Sequence, residues 1–188
     1  MRQATMVESQ NNLHSQTRED RPLNPSSLAV RPYLPSDRVA ASQLLGLSDP
    51  WKDLGYSAED WERVFASLMS TREGFVIASG DDVAGLALLG RRFLFGDCLD
   101  LLAIAPWARS QKLGSTLLAY VERLVFTRVP HLYLRVSDFN DRAQRFYTRR
   151  GYEALGPMPS LHLPGTHEIL MRKSRLRLGE NDRNEEAT

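Results

Sequence analysis

Apolar positions in the first part of the chain predict one strand followed by two helices. Residues 28–34 form a short apolar run interrupted by a proline, which is typical of a strand at the edge of a sheet. Residues 39–45 and 61–69 carry apolar side chains at helical spacing. Ser36 and Ser57 precede these two runs and are candidate helix caps.

The pattern then changes to the period of strands. Residues 75–78 and 83–89 are apolar runs separated by Gly-Asp-Asp, a sequence typical of the turn of a β-hairpin. Another apolar run begins at Gly96 and leads into residues 99–105. The middle of the chain therefore predicts three successive strands.

A strand, a helix and a strand follow one another in the next part of the chain. Residues 113–128 place leucine and valine on one helical face, and Pro130 ends this helix. Residues 131–137 alternate between apolar and polar side chains, as a strand does. A helix between two strands favours a parallel crossover connection.

The last apolar segments predict a short helix and two further strands. Asn140 caps the helix and Gly151 stops it. Residues 152–155 and 167–171 are strand-like. The connection expected between these two strands contains Pro157, Pro159 and Pro164.

Composition limits the protein to one domain of ordinary size. The chain has 188 residues, of which 42% are hydrophobic and 25% charged. Residues 1–27 are polar and lack periodicity, and residues 174–188 are charged, so we expect a flexible leader and a flexible tail around a domain at 28–173. The amino-terminal segment also lacks the apolar stretch of a signal peptide, and no membrane span is expected.

Charge and cysteine content narrow the function further. The 24 basic and 23 acidic residues give a net charge of +1, which argues against nucleic acid as a partner. Cys98 is the only cysteine, so neither a disulfide within the chain nor a thiolate metal cluster is expected. The histidines show no metal-ligand spacing either. These features predict a cytoplasmic protein without a metal ion.

The stretch at 99–118 reads as strand, loop and helix, and the loop predicts an anion site. Its polar residues include Arg109, Gln111 and Lys112, and helical spacing resumes at Leu113. The first turn of a helix presents unpaired N–H groups and the positive end of the helix dipole. An anionic ligand is the natural occupant of such a loop.

Two segments resemble motifs of the GNAT superfamily of N-acetyltransferases. The sequence Arg-Ser-Gln-Lys-Leu-Gly at 109–114 is similar to Q/R-x-x-G-x-G/A, the loop that wraps the pyrophosphate of acetyl-CoA in that family, although Lys112 stands where the family has its first glycine. Residues 140–152 match the pattern N-x-x-A-x-x-F/L-Y-x-x-x-G-F/Y at every specified position. The two segments occur in the order found in the family.

The resemblance extends over residues 28–172 and implies an α/β fold. The implied sheet is mixed and mostly antiparallel, with six to seven strands, a central parallel pair that splays apart, and helices on both faces. The implied co-substrate is acetyl-CoA. The residues implied to bind it are Leu102, Ala103 and Ile104 on the strand, Arg109, Ser110, Gln111, Lys112, Leu113, Gly114 and Ser115 at the loop, and Asn140, Ala143 and Phe146 in the second motif.

Catalytic roles follow from the same resemblance. It implies that Tyr147 protonates, or donates a hydrogen bond to, the leaving sulfur. Asn140 would contact the co-substrate, but its place as a helix cap explains the residue without a ligand. Arg135 occupies the position where the branch that acetylates ribosomal protein N-termini has a glutamate.

Asp100 is the candidate general base, because other branches of the family place a carboxylate on the same strand. Strand alternation predicts that it shares one face with Cys98, Leu102 and Ile104. Asp100 would deprotonate the amine directly or through a water molecule. His167, at the start of the last strand, is a second candidate.

The resemblance implies that the acceptor is a primary amine of a small molecule, peptide or protein, which attacks the thioester directly in a ternary complex. Trp51 and Tyr56 lie in a loop, where they either cover the core or form an acceptor-binding lid. The departures at Lys112 and Arg135 leave an alternative open, a catalytically silent acyl-CoA-binding module. Dimers are common in the family, so a homodimer is a further expectation.

Overall fold

The computed structural model describes residues 28–49, 51–80, 82–159 and 165–175, and within them seven strands form one sheet in the order β1-β2-β3-β4-β5-β7-β6. The strands are β1 (Ala29–Pro32), β2 (Arg72–Ser79), β3 (Asp82–Phe93), β4 (Gly96–Ile104), β5 (His131–Ser137), β6 (Glu153–Pro159) and β7 (His167–Ser174). The helices are α1 (Arg38–Gly46), α2 (Ala58–Leu68), α3 (Leu113–Phe126) and α4 (Asp141–Thr148).

The central strand pair is parallel and every other pair is antiparallel. β4 and β5 pair only through residues 97–99 and 132–134. Beyond Leu99 and Leu134 both strands continue without pairing, which leaves an opening that we call the β4–β5 gap. The mixed sheet with a splayed parallel pair is therefore confirmed.

Two neighbouring residues of β2 show that helices cover both faces of the sheet. A Cβ atom at Gly74 would lie 2.8 Å from the side chain of Met69, which follows α2. The ring of Phe75 lies 5.5 Å from that of Tyr120 on α3. Successive strand residues point to opposite faces, so α2 and α3 lie on opposite sides. We call them the front face (α2) and the back face (α3).

The apolar core lies in two layers against these faces. α1 packs on β3 and β4, whereas α3 packs across β2 to β5. The apolar stripe of α3 is fully buried at Leu117, Leu118 and Val121. Each such side chain stabilises the fold by about 1.5–3 kcal/mol, so packing of α3 fixes the position of its first turn.

One predicted helix cap is confirmed and the other is wrong. The Ser57 hydroxyl accepts a hydrogen bond from the amide of Asp60 at 3.2 Å, at the start of α2. Ser36 instead lies inside a 3-10 turn, Pro35–Asp37, and α1 begins after it. Proline favours the first position of such a turn, so the chain turns before the α-helix starts.

Two prolines near the end of the domain do not lie where they were expected, in the loop between the last two strands. Pro157 and Pro159 belong to β6 and not to the loop after it, opposite Ile169 and His167 of β7. β6 is the last strand of the sheet, where a missing N–H group removes no hydrogen bond of the ladder. Pro164 lies outside the described residues.

Candidate active site

The β4–β5 gap leaves one side of β4 open. Leu102, Ala103 and Ile104 pair with β3 on one side, but no strand pairs with them on the side of β5. Backbone polar groups on that side need other partners. An extended ligand with amide groups can supply these hydrogen bonds as an added strand would.

The first turn of α3 begins from a left-handed residue. Lys112 has φ 61° and ψ 11° and directly precedes the helix. Its carbonyl accepts hydrogen bonds from the amides of Ser115 and Thr116, at 2.9 and 3.1 Å. The amides of Leu113 and Gly114 have no partner in the helix, as is general for a first turn. Lys112 therefore adopts the conformation that glycine usually supplies, and it precedes a helix terminus whose unpaired amides favour an anion.

The same helix terminus is surrounded by cationic side chains. Arg109 lies 3.9 Å from Asp49 and is one-third exposed. Arg150, which neither motif specifies, donates a hydrogen bond to the Ser115 hydroxyl and lies 5.2 Å from the ring centre of Phe146. Together with Lys112, these groups give the loop the positive charge that a pyrophosphate requires.

Gly114 lies where three elements meet. A Cβ atom at this position would be 3.5 Å from Ile104 of β4 and 3.9 Å from Phe146 of α4. Both are ordinary van der Waals distances. The structure thus brings the predicted strand, loop and second motif together at one place.

α4 carries the second motif. The side chain of Asn140 accepts a hydrogen bond from the amide of Ala143 at 3.0 Å, so the helix-cap role is observed. Tyr147 is 8% exposed, and its ring packs between those of Phe146 and Tyr152 at 5.2 and 5.6 Å. Burial raises the pKa of the Tyr147 hydroxyl above its ordinary value of 10.0. Tyr147 is therefore protonated at neutral pH, and its role as a proton donor stays a prediction.

Asp100 is the extra residue of a β-bulge. Leu88 of β3 pairs with Leu101, but the next residue, Leu89, pairs with Leu99. Asp100 has no partner of its own on β3. A bulge of this kind changes the side-chain alternation and bends the strand away from its neighbour, here where β4 and β5 separate.

The bulge makes the predicted common face of β4 wrong. Cys98 lies opposite Gly90, and a Cβ at Gly90 would be 2.8 Å from the carboxylate of Asp100, so Cys98 and Asp100 share the front face. Leu102 and Ile104 have moved to the back face. The extra residue shifts the alternation by one position after Asp100.

Asp100 belongs to a line of alternating charges that crosses the front face, which we call the charge row. Arg72 donates a hydrogen bond through Nε to one oxygen of Asp100, and Arg135 lies 3.6 Å from the other oxygen. Arg135 also lies 3.6 Å from Oε2 of Glu168 on β7. Gly90 lies beneath the contact between Arg72 and Asp100, where it offers no side chain.

Sequence motifs did not indicate Arg72 or Glu168 as residues of the site. The only available indication was that each is a charged residue close to an apolar run, residues 74–78 and 169–171. The second candidate base, His167, is more than half exposed and lies 3.8 Å from Asp138, outside the charge row.

Cys98 lies beside the charge row with a protonated thiol. Burial, and to a lesser extent the neighbouring Asp100 carboxylate, raise the pKa of Cys98 to about 12. A thiolate is the nucleophilic form of cysteine. Cys98 is therefore poorly suited to carry an acyl group.

The aromatic loop residues pack on α2. Trp51 and Tyr56 lie 5.5 and 5.8 Å from the ring of Trp61, and the Tyr56 amide donates to the Trp51 carbonyl at 3.0 Å. Trp51 packs against the core, whereas Tyr56 is 39% exposed. The core-covering interpretation accounts for Trp51, and an acceptor-binding role for Tyr56 stays a prediction.

Metal-binding clusters and membrane-spanning helices are both absent from the described residues. In these residues no three His, Cys, Asp or Glu side chains lie close enough together to hold a metal ion. No helix within the same ranges has the length and apolar character needed to cross a membrane.

A family model described as "Acetyltransferase (GNAT) family" matches residues 38–152. No curated protein sequence matches the chain. Among solved structures, the ribosomal-protein-S18-alanine N-acetyltransferase from Escherichia coli is 22% identical, with a TM-score of 0.66 over 82% of this chain and 97% of that one.

Two further structures share the fold and were solved with coenzyme A. An aminoglycoside 6′-N-acetyltransferase is 19% identical, with a TM-score of 0.64 over 78% of this chain and 96% of that one. The PaiA N-acetyltransferase from Thermoplasma acidophilum is 18% identical, with a TM-score of 0.62 over 79% and 99%.

Proposed function

The chain belongs to the GNAT family of acetyltransferases, and from this membership we propose that it transfers an acetyl group from acetyl-CoA to a primary amine. The observation that carries the proposal is the arrangement around Gly114, where the open side of β4, the start of α3 and the aromatic residues of α4 meet. A thioester with a long amide-containing arm and an anionic end fits these three features. The two related structures with coenzyme A support this choice of co-substrate.

Each part of acetyl-CoA has a proposed binding surface on this chain. The amides of Leu113 and Gly114, together with Arg109 and Lys112, bind the pyrophosphate. The backbone of residues 102–104 hydrogen-bonds the pantetheine arm in the β4–β5 gap. When bound, acetyl-CoA supplies an activated acyl group as a thioester.

Residues on either side of the gap would handle the protons. Asp100 takes a proton from the ammonium group of the acceptor, directly or through water, with Oδ1, the oxygen that lies 3.6 Å from Arg135. The amine nitrogen then bonds to the acetyl carbon and loses its second proton to solvent, and the carbon–sulfur bond breaks. Tyr147 gives its proton to the departing sulfur and is reprotonated from solvent, so each turnover yields one amide, one thiol and one proton.

Direct attack by the amine is favoured over an acyl-enzyme. Cys98 is the one cysteine of the chain, and its raised pKa keeps it as a thiol at neutral pH. Positioning both substrates in one complex supplies much of the rate in such a reaction. We propose that the reaction takes place in the cytoplasm, where acetyl-CoA and a reduced cysteine are both expected.

Turnover with acetyl-CoA and a panel of primary amines tests the proposal, with release of the CoA thiol as readout. We expect Tyr147→Phe to lower kcat about 100-fold or more, because general acid catalysis typically contributes that much. Tyr120→Phe is the matched control, because Tyr120 packs on Phe75 on the back face. Coenzyme A affinity, measured by calorimetry, should remain unchanged in both variants.

A catalytically silent acyl-CoA-binding module is the second candidate. It is favoured by the pairing of Asp100 with two arginines, which leaves the candidate base strongly engaged. Coenzyme A binding without turnover of any amine would support this candidate and contradict acetyl transfer. If Tyr147→Phe and the unmodified protein had equal turnover, the proposed role of Tyr147 would be contradicted, but acetyl transfer would not.

A further inference from the structure

Arg135 is a largely buried guanidinium whose Nε donor is not satisfied among the described residues. Its side chain is 17% exposed, and its two ion pairs, to Asp100 and Glu168, are both 3.6 Å long. That distance is beyond a hydrogen bond. Its Nε atom is buried and has no partner among the described residues. Nη1 and Nη2 are not among the buried atoms without a partner, so they are the donors that an acceptor from elsewhere would reach.

Glu168 shows the complementary deficit. Its side chain is 10% exposed, and Oε2 is buried without a hydrogen bond in the described structure. The same oxygen is the one that faces Arg135. The donor that faces Oε2 is therefore Nη1 of Arg135 and not its unpartnered Nε.

Asp100 and Arg135 lie at the narrow end of the β4–β5 gap. Asp100 and Arg135 are the first residues after the last paired positions of β4 and β5, Leu99 and Leu134. Both belong to the front face, and neither α1 nor α2 packs extensively on β5 or β7. An acceptor that approaches the thioester from the front face therefore meets Arg135 and its two neighbouring carboxylates.

From this geometry, and resting on the proposed acetyl transfer, we propose that the acceptor is an amino acid whose carboxylate binds Arg135 while its amino group faces Asp100. The charge row balances two guanidinium groups against two carboxylates. It is thus complementary to a zwitterion, whereas a polycationic amine would need an excess of carboxylates. Glu168 holds Arg135 in place from the β7 side.

Pairs of substrates that differ only in the carboxylate test this assignment. Each α-amino acid is compared with its own amide, and spermidine represents polycationic amines. Since hydrogen bonds to charged groups are strong, we expect the acid to exceed its amide about 10-fold or more in kcat/KM, mainly through KM. An amide that reacts as well as its acid, or a preference for spermidine, would overturn the inference while acetyl transfer stands.

Variants of Arg135 give the second half of the experiment. Arg135→Gln should reduce the acid-to-amide ratio to about one, and Arg135→Lys should restore part of it. Arg91→Gln is the matched control, because Arg91 is 58% exposed and pairs with Glu73; it should keep the full ratio. A ratio unchanged in Arg135→Gln would also overturn the inference.

Unchanged coenzyme A affinity in each variant establishes that the fold is intact. The comparison of acid and amide in the unmodified protein remains decisive even if Arg135→Gln does not fold. Coenzyme A binding without acetylation of any acid, amide or polyamine would contradict the proposed function itself. The two failures are thus distinguishable.

Discussion

Lys112 holds a backbone conformation that a residue with a Cβ atom adopts at a cost. Its φ of 61° lies in the left-handed region, which is about 1–2 kcal/mol less favourable than the right-handed one for an L-residue. In return, the lysine sets the direction of the first turn of α3 and adds a positive charge to the loop before it. Backbone geometry and side-chain charge at this position can therefore be separated by substitution.

We expect Lys112→Gly to raise the free energy of unfolding by about 1 kcal/mol, because glycine adopts positive φ without this cost. Lys112→Ala keeps the cost and should not stabilise the protein. Both variants lack the ammonium, so both should bind coenzyme A more weakly, by a similar factor. Denaturant unfolding and calorimetry measure the two effects. A gain in stability for the alanine variant would contradict this account of the backbone.

β4 pairs with β5 at its start and is separated from β5 at its end. At its start, a Cβ atom on Gly96 would lie 2.1 Å from the carbonyl oxygen of His131, so the two strands approach very closely there. At its bulge, Asp100 turns towards the charge row and the pairing with β5 ends. The close start and the open end are parts of one geometry.

Two glycine-to-alanine substitutions compare the close approach at Gly96 with the looser packing at Gly114. We expect Gly96→Ala to lower the free energy of unfolding by about 3 kcal/mol, since the added methyl group meets backbone that cannot move aside easily. Gly114→Ala has free space and lies in a helix, so its effect should be neutral or stabilising by up to about 1 kcal/mol. Thermal and denaturant unfolding of both variants provide the measurement. Similar losses of stability in the two variants would contradict the difference in Cβ distances between Gly96 and Gly114.

The sequence predicted the elements well and their irregularities poorly. Periodicity located β5 at its observed ends, His131–Ser137, because alternation over seven residues is a strong local pattern. The position of the bulge, at Asp100, could not be predicted, because it depends on the register of β4 with β3, which the alternation of side chains within β4 does not show. The same holds for the contacts of Arg135 and Glu168, which come from different strands. The local motifs indicated the loop before α3, but not that Lys112 would take the left-handed conformation.

The whole molecule is a sheet with an internal opening that a ligand is proposed to fill. Binding to the folded state alone raises stability by about 2.7 kcal/mol when the ligand is present at 100 times its dissociation constant. For a chain of this length, we expect coenzyme A to raise Tm by roughly 5–10 °C. Differential scanning calorimetry with increasing coenzyme A measures the shift.

A shorter ligand supplies the control for this experiment. Adenosine 3′,5′-bisphosphate lacks the pantetheine arm and should leave the β4–β5 gap empty, so its shift should be smaller at the same concentration. Equal shifts from the two ligands at equal concentration would contradict a contribution from residues 102–104.

The β4–β5 gap also bears on self-association of the protein. An unpaired strand edge is a template on which another chain can add. The two outer strands carry prolines, Pro32 in β1 and Pro157 and Pro159 in β6, and proline discourages such addition. The open side of β4 has no proline, but β5 flanks it within the same sheet. We therefore expect this edge to admit a thin extended ligand while excluding a strand from another copy.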